Sequence, residues 1–248
     1  MNITFLGTGT STGVPQLGCK CPVCRSENPK DKRLRNSALI TVDNKRFLID
    51  AGPDLRQQLI KNDIFQVTAI LLTHEHYDHV GGLDDVRPLG ETNIYAEKNV
   101  LEAIERNMPY CFGQIKYPGV PKMNLHEITV QPFEIQGLRI IPVRVMHARL
   151  PILGFRIGDM AYLTDVKSID DRELEKLQGL KVLVINALRK EEHISHISIS
   201  EAISISQEIR AENTYFTHIS HHLGLHDEIN KELPENIQLA YDNLSINF

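Results

Sequence analysis

The chain has no apolar run near the roughly 18 residues that a membrane span requires, and its opening MNITFLGTGT lacks the basic segment and apolar core of a secretory leader. Both absences predict a cytoplasmic protein with no membrane partner. There is no dense Lys/Arg tract and the net charge is −5, so a long nucleic acid is not expected as a partner. Cysteine is scarce. Four in 248 residues exclude a disulfide framework, and a chain of this length buries a core without one. Low-complexity linkers are missing too, and the expectation is a single domain over 1–248.

Three of those cysteines, Cys19, Cys21 and Cys24, crowd into LGCKCPVC at 17–24. In a reducing compartment such a cluster is a metal site or a redox group, and a third thiol this close favours metal capture over dithiol exchange. Cys111, alone in PYCFG, reads as a small buried apolar residue. Most of the 11 histidines fall in three clusters, at 74–79, 193–196 and 218–226, which points to metal or proton chemistry.

Short β-rich runs recur along the chain: NITFLGTG, SALITVDNKRFLIDAG, AILLTH, LRIIPVRVMH, LGFRIGDMAYLTD, KVLVINA, NTYFTH and IQLAYDNLSINF. Helices are expected at 53–61, 97–106, 169–178 and 198–211, the last opened by Ser198 and Glu201 in capping-box spacing. VDNKR and EIQGLR look like hairpin turns, so antiparallel pairs should accompany βα units in a mixed-sheet α/β protein. Residues 107–124 read as a long loop. Gly7, Gly9 and Gly13 in FLGTGTSTGVP fit neither dinucleotide nor Walker spacing, and are expected to let the backbone turn closely past the functional site.

The strongest signal is ILLTHEHYDHVGG at 70–82, a hydrophobic strand running into His74, His76, Asp78 and His79 and a Gly-Gly turn. Residues i and i+2 share a face in extended chain, so His74 and His76 can bind one ion while the turn carries Asp78 and His79 towards a second. Imidazole and carboxylate donors suit zinc, iron or manganese.

This run resembles the metal-binding signature of the metallo-β-lactamase superfamily. The resemblance implies an α/β (α+β) fold, a four-layer αββα sandwich of two mixed β-sheets flanked by helices, with two divalent metal ions (Zn, Mn or Fe) at a sheet edge. It implies that His74, His76 and His147 hold one ion and Asp78, His79 and His218 the other, with Asp165 bridging. Asp50 in RFLIDAGP matches a position that orients a ligand histidine. His196 in EEHISHISISEAI resembles the proton donor of the phosphodiesterase branch, completing a catalytic set with Asp78 and Asp165. Such an acid is needed because the alkoxide expelled from phosphorus leaves poorly unless protonated. His193 beside it has no assigned role.

Cys19-x-Cys21-x-x-Cys24, with His221 three residues after His218, resembles the phosphoribosyl cyclic phosphodiesterases of the carbon–phosphorus lyase pathway, whose three cysteines and one histidine hold a structural zinc. That family implies hydrolysis of a small cyclic phosphodiester, of the phosphoribosyl 1,2-cyclic phosphate or 2′,3′-cyclic nucleotide type, by a hydroxide held between two metal ions, and a homodimer. His222 and His226 are expected to face solvent or support a neighbour. The alternatives are an RNA-processing nuclease of the tRNase Z type, which Arg35-Asn36-Ser37 resembles locally, and a zinc-binding scaffold without turnover.

Overall fold

The computed structural model describes residues 1–113 and 118–248. The chain divides into two compact units, one of residues 1–7, 35–129 and 243–247, the other of 8–34, 130–242 and 248. Each is built on a mixed β-sheet with helices packed on it.

In the first unit the strands are β1 (Asn2–Gly7), β2 (Ser37–Val42), β3 (Lys45–Ile49), β4 (Ala69–Leu71), β5 (Glu91–Ala96), β6 (Lys122–Glu127) and β15 (Ser245–Asn247), in the order β15-β1-β2-β3-β4-β5-β6. Pairing is antiparallel from β15 to β3 and parallel from β3 to β6. Leu39, Leu48, Ile70 and Ile94 form its core with Leu55 and Leu59 of the helix Leu55–Lys61 and Val100 and Ile104 of the helix Lys98–Asn107.

In the second unit, β7 (Phe133–Ile135), β8 (Leu138–His147), β9 (Leu150–Ile157), β10 (Met160–Leu163), β11 (Ser168–Ile169), β12 (Val182–Asn186), β13 (Asn213–Thr217) and β14 (Ile237–Leu239) form one sheet. Its order is β11-β8-β9-β10-β12-β13-β14, with β7 also on β8. Antiparallel hairpins again give way to parallel strands, here from β10 onwards. All five residues of β12 are buried, and the first four, Val182 to Ile185, form the apolar run expected of a parallel strand covered on both faces. Val143, Ile152, Leu183, Ile185 and Phe216 pack with Ala202 and Ile209 of the helix Ile199–Ile209 and with Ile229.

The mixed sheets and both hairpins follow the sequence pattern, with three departures. The helix expected over 169–178 is shortened to Asp171–Glu175, because Ser168–Ile169 is captured as β11 on β8 and Asp170 caps the helix through the Arg172 N–H. The stretch expected as a loop over 107–124 contains a helical turn, Pro109–Phe112, and the first residues of β6, while its residues 114–117 lie outside the described residues. Finally, Gly7 and Gly9 make their closest approaches to residues 33–35: a Cβ at Gly7 would lie 2.0 Å from the Arg35 carbonyl oxygen. The loop does border Ile219, through Ile219 N to Thr8 O (2.8 Å) and Thr10 N to Ile219 O (3.1 Å).

In both sheets the candidate site residues stand just beyond the carboxyl ends of strands in or bordering the parallel half: Asp50 after β3 and His74 after β4, Asp165 after β10 and His218 after β13. That is where the crossover loops of an α/β sheet leave room for a ligand.

Candidate metal centre

In the first unit the H-x-H-x-D-H run leaves β4 and enters the helical turn Tyr77–Val80. Two glycines allow the turn to lie flat on residues 51–52: a Cβ at Gly52 would meet the Asp78 carbonyl oxygen at 2.0 Å, and one at Gly82 the Gly52 carbonyl oxygen at 2.0 Å. His74 lies 4.5 Å from His76 and 4.2 Å from His79 between ring centroids. Asp78 Oδ2 is 3.2 Å from His79 Nε2.

Behind these rings sits Asp50, fully buried. Its Oδ2 accepts the His79 Nδ1–H at 2.7 Å, and its Oδ1 accepts the Thr73 N–H at 2.9 Å. The Thr73 hydroxyl also donates to this carboxylate (3.0 Å to Oδ2), so its oxygen accepts from His74 Nδ1 at 2.9 Å. Burial pushes the Asp50 carboxyl up, against the lowering effect of His79 and Thr73. Ser37, from the Arg35-Asn36-Ser37 segment, supports the turn by donating to the carbonyls of Ile49 and Asp50.

In the second unit His147 closes β8 and donates Nδ1–H to the Ser195 carbonyl at 2.9 Å. The Asp165 Oδ2 accepts the Thr164 hydroxyl at 2.6 Å, while Oδ1 lies 2.9 Å from His196 Nε2 and 3.3 Å from His218 Nε2. His147, Asp165 and His196 offer donor atoms within 4.8 Å of one another. The His196 ring stacks on His218 with centroids 5.0 Å apart. Burial pushes His196 down to about 4, with the Asp165 hydrogen bond raising it in opposition.

The donor set fits divalent metal. His74, His79 and His147 each commit Nδ1–H to a neighbouring oxygen, which leaves the lone pair on Nε2 as the ligating atom. The separations of 3.2 and 3.3 Å match the edges of a coordination polyhedron with bonds of about 2.1 Å.

The cysteine cluster is a separate centre within the second unit. Cys19, Cys21, Cys24 and His221 place their donor atoms within 4.8 Å of one another. His221 Nδ1 lies 3.5 Å from Cys19 Sγ and 3.4 Å from Cys21 Sγ, close to the roughly 3.5 Å nitrogen–sulfur edge of a zinc tetrahedron. The Cys24 N–H, the His221 ring and the other cysteines lower Cys21 to about 6, which favours its thiolate, while burial raises Cys24 to about 11. Of the remaining histidines, His222 is exposed, whereas His226 is buried with Nδ1 3.1 Å from Arg33 Nη2. Cys111 is buried, as its apolar setting predicts.

Sequence reasoning missed Thr73, Thr164 and Ser195. The signal for the first two was present: each threonine directly precedes a candidate ligand, in Thr73-His74 and Thr164-Asp165.

The model of the beta-lactamase superfamily domain matches residues 45–219. The chain belongs to the β-lactamase superfamily. A crystal structure of a new diphosphatase from the PhnP family is similar, with 40% identity and a TM-score of 0.93, covering 100% of this chain and 97% of that one, which places the chain in that family. Among curated proteins, the octanoyltransferase of Porphyromonas gingivalis (strain ATCC BAA-308 / W83) is 48% identical over 98% of this chain. The chain spans about half, 51%, of that protein's length. Human tRNase Z, short form, shares the fold at 20% identity, with a TM-score of 0.76 over 100% of this chain and 99% of that one.

Proposed function

We propose that this metallo-β-lactamase-fold hydrolase cleaves small phosphodiesters, cyclic ones of the phosphoribosyl 1,2-cyclic phosphate or 2′,3′-cyclic nucleotide type. His74, His76, Asp78, His79, His147, Asp165 and His218, the set that the family resemblance implies, would hold two divalent ions. Ions bound there supply Lewis acidity, drawing charge from the phosphoryl oxygens and making water acidic enough to attack at neutral pH.

The observation that carries this reading is His196, held at 2.9 Å on Asp165 and stacked on His218. Attack of a water oxygen forms one P–O bond and breaks another, and the departing oxygen takes its proton from His196 Nε2. Asp78 receives the proton that the water loses. An anionic diester beside the buried ring favours its charged form, offsetting the downward push of burial. Attack on a thioester carbonyl does not need such an acid, because a thiolate leaves readily without a proton.

The likeness to half of an octanoyltransferase favours a second reading, the same residues acting on an octanoyl thioester. Both are tested in one assay of the metal-loaded protein, against bis(p-nitrophenyl) phosphate, the two cyclic phosphates and an octanoyl thioester. Turnover of the diesters is expected, with Asp165→Ala and His76→Ala inactive. Clean thioester turnover without diester cleavage would replace the first reading with the second.

A further inference from the structure

The candidate donors use only part of the helical turn Tyr77–Val80. Asp78 and His79 belong to them, whereas Tyr77, Val80 and Gly81 are spaced i, i+3 and i+4 and so share another face of the same turn. That face lines a cavity of about 190 Å³ that lies wholly within the first unit. Its floor is apolar, with Val80, Leu83 and Ile104 buried and Met108 half-buried. Tyr77 and Tyr110 form its walls. Gly81 has φ −67°, which any residue adopts, so its missing side chain serves space rather than conformation. A Cβ there would lie 2.8 Å from Cε2 and Cζ of Tyr77. The Tyr77 ring is therefore seated against backbone on one side and, at 71% exposure, open on the other.

One wall is polar and fixed in direction. The Tyr110 hydroxyl donates to Asp84 Oδ1 at 2.7 Å, and Arg87 Nη2 donates to both Asp84 oxygens at 2.6 Å. Arg87, with Tyr110, holds the Asp84 carboxyl below its ordinary range, so it is an ionised acceptor. Burial and Asp84 push the Tyr110 phenol up to about 12, so it keeps its proton. These bonds use three of a carboxylate's roughly four acceptor positions and leave one on Oδ2. Asn107 adds an exposed amide at the rim.

We propose that this cavity is a nucleobase subsite, in which the base stacks on Tyr77 above the apolar floor and gives a ring or exocyclic N–H to Asp84. The substrate is then a 2′,3′-cyclic nucleotide rather than a base-free phosphoribosyl 1,2-cyclic phosphate. The inference rests on the phosphodiester reading and deepens it. A planar heterocycle with N–H donors uses every wall of the cavity, the aromatic face as well as the carboxylate. An alkyl chain would fill the floor and make no use of Asp84 or Asn107. A second sugar phosphate would bring its anion to the Asp84 carboxylate, a like-charge contact. Tyr77 follows His76 and precedes Asp78, so platform and donors are neighbours in the chain, with the ribose to join base to phosphate.

The test uses the metal-loaded full chain and two substrates that differ only in the base, adenosine 2′,3′-cyclic phosphate and methyl riboside 2,3-cyclic phosphate. Wild type should prefer the nucleotide in kcat/KM by about tenfold or more, through KM. Tyr77→Ser should remove most of that preference and Tyr77→Phe should keep it. Met108→Trp, which fills the cavity from another element, should remove it as well. A ratio of two substrates on one protein cancels any general loss from disturbing the turn that carries the donors. Separately, adenosine titrated into the full chain should shift the ring signals of Tyr77 and Tyr110 in NMR spectra. A wild-type ratio near one, or a ratio that Tyr77→Ser and Met108→Trp leave unchanged, overturns the inference. So does adenosine leaving those signals unmoved, whether or not octanoate moves them. If no diester is cleaved yet adenosine shifts both tyrosines, the functional reading fails and the base subsite stands.

Discussion

Asp50, Asp165 and His218 hold their side chains in place from left-handed backbone, at φ 61°, 56° and 54°, and Ala148, just after His147, has φ 53°. Non-glycine residues pay roughly 1–3 kcal/mol for such sparsely populated conformations, which persist where surrounding contacts over-determine them. The identities of these residues were legible in the sequence, because each follows an apolar run that reads as a strand. Their conformation was not, since it follows from hydrogen bonds to residues far along the chain. Asp242 is a further case. Its carboxylate accepts from Thr8 N, Thr8 Oγ1 and Leu34 N, and its charge lies near the fully buried Arg33, yet nothing in AYDNLS marks it. Burial raises Asp242 to about 6. Because the folded-state value lies above the unfolded value of about 3.9, the native state binds this proton more tightly. Its contribution to stability is therefore present below pH 4 and lost as pH rises to about 6, by about 3 kcal/mol at most. Asp242→Asn should flatten that dependence in urea titrations between pH 4 and 6. It should also cost about 2 kcal/mol at pH 7, since an amide turns a donor towards donors.

At the scale of elements, the Ser198–Glu201 capping box is complete: Glu201 accepts the Ser198 N–H at 2.7 Å and Ser198 Oγ accepts the Glu201 N–H at 3.3 Å. Its local four-residue pattern made it readable in advance. By contrast β6, KMNLHE, has only Met123 and Leu125 as apolar residues and lies at the sheet edge, so its hydrophobic pattern is too short to announce it, and β5 hides its buried Thr92, Ile94 and Ala96 in six mixed residues. The cap also fixes the end of the segment that carries His196, whose neighbour Ile197 donates its N–H to Val166 O at 2.8 Å. Ser198→Ala should lower stability by about 1 kcal/mol in denaturant titration. If the cap orients the acid segment, the same variant should lose more rate on alkyl than on p-nitrophenyl diesters; equal rates would limit the cap to stability.

At the scale of the whole molecule, the cysteine centre joins residues 19–24 to His221, enclosing most of the 248-residue chain between its ligands. The three clustered thiols read from spacing as a metal site or a redox group, and the structure brings His221 to them. Their fourth ligand came only through family resemblance, because nothing local links positions so distant. A Cys₃His set closes a zinc tetrahedron with no open position, so a zinc held by these four residues would be structural. Because the unfolded chain lacks the assembled site, affinity for zinc there is folding free energy, and closing so long a loop restricts the unfolded chain more than closing a short one. His221 also lies three residues after His218, so slack in this clamp reaches a candidate ligand through a short segment. Elemental analysis should therefore find three metal ions per chain, with Cys19→Ser losing one zinc while the other two remain exchangeable. The variant should melt at lower temperature and retain reduced rather than abolished diester hydrolysis, in contrast to Asp165→Ala. An unchanged zinc count with unchanged melting would show that the four donors do not act as a structural site.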